Sequence, residues 1–569
     1  MMRFMTLLKS ILGSNSRYLF LSLLGAWFLL NLLQAVFTEI ISDEAYYMVY
    51  GQHLAWGYFD HPPAVAFLAH VSSLLFRGNL GIRFMTVFIQ PFCLLFIWRT
   101  IDDKEAGTGR VLVFFMLAAS ISLFAAYGFY TTPDSPLLFF TAFFLWAYRK
   151  FLNKSDFHVV LLLSFAMAGL LYSKYHGILV ITFIIISKPR LLTSAPFIKA
   201  LCFASLIFTP HIWWQIANNF PSLRFHLVDR AQGISWDNFI EYIPNQLAAF
   251  NPVVFGAAIY IMVHERGRDD FERGLIFVIV GFLVFFGLSA ARMHVEPQWT
   301  IAASIPLIIL LYDRCFRSAR LKLLLVRSLL PVLVLIFIAR LVLMTDLNIV
   351  KDLGFAGKKD KYQFIGTVAG SAPVIFTGSY QDPSLYSFFT GREGLPLSSL
   401  FTRKTQYDLL KMECALQNKS VFVYSYEEGR SHLFANGVER FYGYFTDSLQ
   451  TVNRVLVKTG ECQAEVQPGD TIEVGVRIKN PYVGAIDFNH RLFPVRFCAA
   501  FVNGEKIVLQ LSEPDVPVGI LGPGETADLH FRIKIPGLLP GDYRFGVCLQ
   551  TPLGTALNDS FSRMNVYKK

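Results

Sequence analysis

Tyr18 to Tyr47 reads YLFLSLLGAWFLLNLLQAVFTEIISDEAYY, and Trp56 to Pro63 reads WGYFDHPP. The first stretch opens with an apolar segment, Tyr18 to Ile40, long enough to cross a bilayer, for which about 20 apolar residues suffice. Asp43 and Glu44 stand where it ends, and Asp60 and His61 follow with aromatic residues between. Three carboxylates and a histidine are thereby set at a membrane surface, where ionisable groups are costly and tend to serve function. Taken alone, the stretch also fits a solvated loop with a helix cap at Ser42.

Composition supports the membrane reading. With 54% hydrophobic, 15% aromatic and 16% charged residues, the first two thirds cannot be a soluble globule. Further apolar runs cover Ile82–Trp98, Val111–Gly128, Pro136–Tyr148, His158–Tyr172, Ile178–Ser187, Ile198–Ile216, Pro252–Val263, Leu275–Ala290, Trp299–Leu311 and Leu323–Met344. Several are shorter than a full span and need tilt, flanking residues or a thinned bilayer. The expectation is an α-helical polytopic membrane protein with about eleven transmembrane helices. No small-residue cleavage site precedes Asp43, so the first segment reads as a retained anchor.

Lys and Arg gather in alternate loops: Arg3, Lys9 and Arg17; Arg99, Lys104 and Arg110; Arg149, Lys150 and Lys154; Lys188, Arg190 and Lys199; Arg266, Arg268 and Arg273; Arg314 to Arg327. The loops between them hold only Arg77, Arg83, Lys174, Arg224, Arg230 and Arg292. Such an excess marks the cytoplasmic side. The N-terminus is therefore expected in the cytoplasm and the chain beyond Met344 outside the inner membrane. These loops account for most of the net charge of +10, so no nucleic-acid partner is required.

After a membrane domain at 1–345, a small extracytoplasmic α/β domain is expected at 346–448. Its strands are Pro373–Thr377 and Ser420–Tyr424, with a short helix at Gln406–Ala415. Alternating runs such as Thr471–Ile478, separated by Gly/Pro/Asp turns, predict an immunoglobulin-like β-sandwich at 449–569. Cys414, Cys462, Cys498 and Cys548 lie in this outer region. Cys498 and Cys548 fit an inter-sheet bridge, and buried free thiols fit as well.

Chemistry concentrates in the outward loops. Beside Asp43, Glu44, Asp60 and His61 come Tyr130–Pro136 with Asp134, Ser173-Lys174-Tyr175-His176, a long loop with Arg224, His226, Asp229 and Arg230, and one with Arg292, His294 and Glu296. Loops on one side of a bundle converge on one cavity. An acid pair supplies a general base, and cations facing it suit an anionic leaving group such as phosphate. That combination describes group transfer from a phosphate-activated donor to a hydroxyl. Nucleotides are not available outside, so the donor should be a lipid phosphate. Asp60 and His61 offer an alternative divalent-metal site, which needs a further ligand such as His226. Against these stand plainer roles: Asp134 as a cap for the next span, Lys174 snorkelling to headgroups. A transporter would carry its charges inside the spans, which read as nearly uncharged.

Asp43-Glu44-Ala45-Tyr46-Tyr47, Gly57–Pro63, Thr132-Pro133-Asp134-Ser135-Pro136 and Ser173-Lys174-Tyr175 resemble the GT-C class of multi-span glycosyltransferases. The resemblance covers about residues 1–350. It is closest to the branch holding lipid A aminoarabinose transferases, lipopolysaccharide-core galacturonosyltransferases and protein O-mannosyltransferases. It implies a polyprenyl-phosphate-sugar donor and an envelope glycolipid, glycan or protein acceptor. It also implies Asp43 as catalytic base with Glu44 beside it, Asp134 on the acceptor side and Lys174 on the donor phosphate. Asp60, His61, Tyr175 and Arg230 complete the expected binding set. Aminoarabinose transferases carry an acid followed by lysine where this chain has Asp60-His61, and their later histidine motif has no clean counterpart around His226. Gly378–Phe389 resembles the family's segment after the last span. The reading is an inverting glycosyltransferase of the cytoplasmic membrane. Protein O-glycosylation, lipid-linked-sugar transport and a non-catalytic envelope scaffold are the alternatives.

Overall fold

The computed structural model describes residues 16–229, 236–426, 431–460, 463–504, 506–556 and 561–567. Arg3, Lys9, Arg230 and Cys462 lie outside them. The chain divides into two compact units, 1–357 and 358–569.

The apolar runs named above fall largely on helices of the first unit, but Val111–Gly128 is broken at Ile121 into Thr108–Ser120 and Ser122–Ala126, and Trp299–Leu311 passes from the 3₁₀ helix Pro297–Ala303 into Ser304–Arg317. Among the described residues, six helices are long and apolar enough to cross a membrane: Ser16–Phe37, Leu80–Ile101, Ala195–Ala217, Asp270–Ala290, Pro297–Arg317 and Ala319–Leu343. Trp236–Phe250 and Pro252–His264 make a seventh if taken as one span broken by a bend of 112°. The bend is at Asn251, whose φ of 67° is one that L residues rarely adopt. Its side chain accepts from the Val253 and Val254 amides and donates to the Ser120 carbonyl at 2.6 Å, so the break is pinned to a neighbouring helix. Ala64–Leu75, Thr108–Ser120, Phe157–Ser173 and Gly177–Ser187 are apolar but shorter. The multi-pass membrane architecture follows from these lengths and compositions.

The second unit begins with the helix Lys358–Ala369. A five-stranded sheet follows, ordered Gly394–Pro396, Val374–Phe376, Val421–Ser425, Arg440–Thr446, His432–Ala435. The first three strands run parallel and the last two antiparallel. The expected helix Gln406–Ala415 is split, into Gln406–Leu410 and a 3₁₀ turn Met412–Leu416, because Lys411 takes a left-handed φ of 55°. The later residues form a β-rich region. Thr471–Lys479 pairs antiparallel with Thr526–Lys534, and its strict alternation turns Ile472, Val474, Val476 and Ile478 inward. They share one apolar cluster with Phe497, Phe501, Phe545 and Leu549 of a second, six-stranded sheet. Cys498 and Cys548 are direct cross-strand partners within that one sheet, so the pair is not an inter-sheet bridge. Both point away from the main cluster, into a smaller one with Ala500.

Candidate active site

Asp43 and Glu44 occupy the first turn of the helix Ser42–Gln52. The cap expected at Ser42 lies one residue earlier: the Ile41 amide donates to Glu44 Oε2 at 3.3 Å. Asp43 is half-buried, whereas Glu44 is fully buried with both oxygens occupied. Arg83 Nε donates to Oε1 at 2.7 Å and Nη2 to Oε2 at 2.5 Å, while the Thr131 amide donates to Oε1 at 2.9 Å. Arg83 also binds the carbonyls of Ala35, Thr38 and Glu39 at 3.2, 2.6 and 3.1 Å. One ion pair thus ties together the end of the first span, the acid turn, the helix Leu80–Ile101 and the loop before Asp134. Arg83 reads as a loop cation in the sequence but is a wholly buried residue of a span. Arg340, in the helix Ala319–Leu343, is likewise buried, with Nη2 on Asn31 at 2.6 Å and Nε on Gln34 at 3.2 Å. The spans therefore contain fixed arginines that an apolar reading overlooks.

Asp134 begins the helix Asp134–Asn153, yet its carboxylate does not cap it. Both oxygens take Lys174 Nζ, at 2.8 and 2.9 Å, and the two side chains are 4% and 7% exposed. Lys174 is thus inside the protein rather than snorkelling to headgroups. The phenol of Tyr127 lies within electrostatic reach of Asp134, Asp43 and Glu296. Neither Tyr127 nor Glu296 is singled out by a motif.

The WGYFDHPP loop is packed tightly. A Cβ on Gly57 would meet the Trp214 ring at 2.4 Å and His211 Nδ1 at 2.9 Å, so only glycine fits there. Tyr58 stacks on Tyr50, and the Tyr50 hydroxyl donates to the buried Asp60 carboxylate. Burial, then the Asp60 charge, push the Tyr50 phenol well above its ordinary value, so it stays a donor. His226 Nε2 donates to the Asp60 carbonyl at 2.9 Å, and the rings of His61 and His226 lie 6.5 Å apart. Among the described residues no three His, Cys, Asp or Glu side chains form a group that could hold a metal ion. Asp60, His61 and His226 thus do not close a metal site by themselves. Tyr175 packs edge-on to His226 at 5.4 Å, and its hydroxyl receives Gln215 Nε2 at 2.8 Å.

Beside the Asp134–Lys174 pair runs an almost entirely apolar groove of about 710 Å³. Pro136 and Tyr172, each two residues from a member of the pair, line it with Trp56, Phe67, Phe140 and Phe165. Trp56, Phe67 and Phe165 are more than half exposed, so the groove opens at the bundle's surface.

The comparisons with known proteins agree with this architecture. Residues 60–214 match the dolichyl-phosphate-mannose-protein mannosyltransferase family. The lipid A galacturonosyltransferase RgtD of Rhizobium johnstonii is 26% identical over 364 residues, which are 59% of this chain and 75% of the relative. The fold resembles crystal structures of ArnT from Cupriavidus metallidurans, bound to undecaprenyl phosphate and in the apo state. Each has a TM-score of 0.54 at 13% identity, covering 75% of this chain and 97% of ArnT. In sequence over residues 60–214 and in fold, the chain is similar to multi-pass membrane glycosyltransferases of the GT-C class.

Proposed function

We propose that this chain moves a sugar from a polyprenyl-phosphate donor to a hydroxyl or phosphate of an envelope glycolipid or glycan, with inversion, on the outer face of the cytoplasmic membrane. One observation carries the reading: the buried Lys174–Asp134 pair stands on the two helices whose Pro136 and Tyr172 line an apolar groove, and Tyr127 lies within electrostatic reach of both Asp134 and the half-buried Asp43. An acid supplies a base, a lysine a counter-charge for phosphate, and the groove a bed for a prenyl chain.

In this mechanism Asp43 takes the proton of the acceptor hydroxyl. The acceptor oxygen attacks the anomeric carbon, the bond from that carbon to the phosphate oxygen breaks, and its electron pair leaves with polyprenyl phosphate. A single displacement inverts the centre. Lys174 exchanges part of its contact with Asp134 for the departing phosphate, so it stabilises charge that grows in the transition state. Glu44 holds the acid turn through Arg83 instead of exchanging protons. Asp60 and Tyr175 shape the wall on the His226 side.

The eleven apolar runs are read as spans, the N-terminus as cytoplasmic, and the outer region as an α/β domain to residue 448 followed by a β-sandwich. RgtD's lipid A acceptor favours a glycolipid here. A protein hydroxyl is the second reading, favoured by the family that residues 60–214 match. A scaffold would leave the Asp134–Lys174 pair without purpose, and the buried arginines are held too tightly to serve a transport path. Mass spectrometry of envelope lipids, glycans and glycoproteins from cells with and without the gene tests the proposal. A sugar missing from a glycolipid or glycan supports it, and one missing only from a protein moves the acceptor to the second reading. Identical profiles contradict both.

A further inference from the structure

Arg149 lies at the far end of the helix that Asp134 begins, so it marks the end of the bundle opposite the acid turn. There the ends of Leu80–Ile101, Asp134–Asn153 and Ser304–Arg317 meet the starts of Thr108–Ser120 and Asp270–Ala290 around a cleft of about 520 Å³. Its carboxylates are accounted for. Asp103 takes Arg110 at 2.7 Å and the Tyr312 hydroxyl at 2.6 Å. Glu272 takes Arg268 and Arg314, and Asp313 takes Arg268, Arg314 and Arg317 at 2.7, 2.6 and 2.7 Å. Asp269 caps its own helix through the Glu272 amide at 2.7 Å.

Arg149 is the cation left over. It lines the cleft, donates through Nη1 to the Thr100 carbonyl at 2.5 Å, and rests on the Phe271 ring at 5.2 Å. Among the described residues no carboxylate pairs with it. A guanidinium has five N–H donors, so most of Arg149's are not used by the protein. The cleft's other wall is apolar, with Leu275, Ile309 and Phe316. Lys150 lies over the Trp146 ring at 4.8 Å on the same helix end, the pairing of aromatic and cation that sits at a membrane interface.

We propose that this cleft binds the phosphodiester headgroup of an anionic membrane phospholipid, with Arg149 as the principal donor and the apolar wall receiving the start of its chains. Guanidinium matches phosphate geometrically, and basic pockets between helix ends hold anionic headgroups. The site is separate from the donor and acceptor sites proposed above, and stands if their assignment fails.

Native mass spectrometry of the full chain in detergent tests it, with phosphatidylglycerol and a diacylglycerol of matched chains, which lacks the phosphodiester. The unmodified protein should retain phosphatidylglycerol at about tenfold lower lipid concentration, the worth of a charge-assisted hydrogen bond. Arg149→Gln should abolish that preference, Arg149→Lys should keep part of it, and Lys104→Gln should keep all of it. Equal retention of the two lipids by the unmodified protein would overturn the proposal without needing any variant. An undiminished preference in Arg149→Gln overturns it too. Displacement of phosphatidylglycerol by inorganic phosphate would mean a free-anion site and overturn the lipid assignment.

Discussion

Glu44 and Arg83 form a fully buried two-point ion pair, one residue in sequence from Asp43. Removing one partner leaves the other as a buried charge without its counter-ion. Arg83→Met or Glu44→Gln alone should therefore destabilise the membrane unit by about 3–5 kcal/mol, and the double replacement by less than either. Thermal unfolding of the purified protein in detergent checks this. Unchanged melting of Arg83→Met would show that the pair does not hold the acid turn.

Lys174 sits against Asp134 at 2.8 Å, which makes its replacement more than a loss of surface charge. Lys174→Ala should lower kcat/KM by more than about tenfold, and Lys174→Arg should recover part of it. Steady-state kinetics at varied donor concentration measure both. Normal activity of the alanine variant at saturating donor would remove Lys174 from the phosphate site.

The groove gives a size-dependent expectation. Ala64 lines it at the start of the helix Ala64–Leu75, and Ala64→Trp would fill that end. Lost contact with two methylene groups is worth about tenfold. KM for a full-length polyprenyl donor should rise by about that factor, while a donor with a much shortened chain should be unaffected. Equal effects on both donors would place the prenyl chain elsewhere.

The helices were legible because hydropathy alone reveals them, and Thr471–Lys479 because its alternation matches the pleat. Asp134 and Lys174 were legible as residues but not as a pair, since 40 positions separate them. Arg83 was hidden for the same reason: its partner lies 39 positions away, and at the head of an apolar run it resembles a loop cation. An arginine so close to a span was the available signal. The Cys498–Cys548 relationship depends on strand register, which alternation does not specify between distant strands. The groove has no sequence signature, since Pro136, Phe165 and Trp56 come from separate segments.

Membrane orientation is open to labelling. In a cysteine-free background, a single cysteine at Lys104, whose side chain is 82% exposed, should be protected from an impermeant thiol reagent in intact cells with a permeabilised outer membrane. One at Val483, 92% exposed, should react. Labelling at Lys104 and protection at Val483 would invert the assigned topology.

The most direct test of the account is turnover by Asp43→Asn, which keeps the shape of the side chain and removes its basicity. Purified in detergent with a polyprenyl-phosphate sugar and an acceptor glycolipid, the variant should bind donor normally and lose about 10²–10⁴ in kcat. Donor binding intact with turnover at the unmodified level would contradict Asp43 as the base and, with it, the mechanism built around the acid turn.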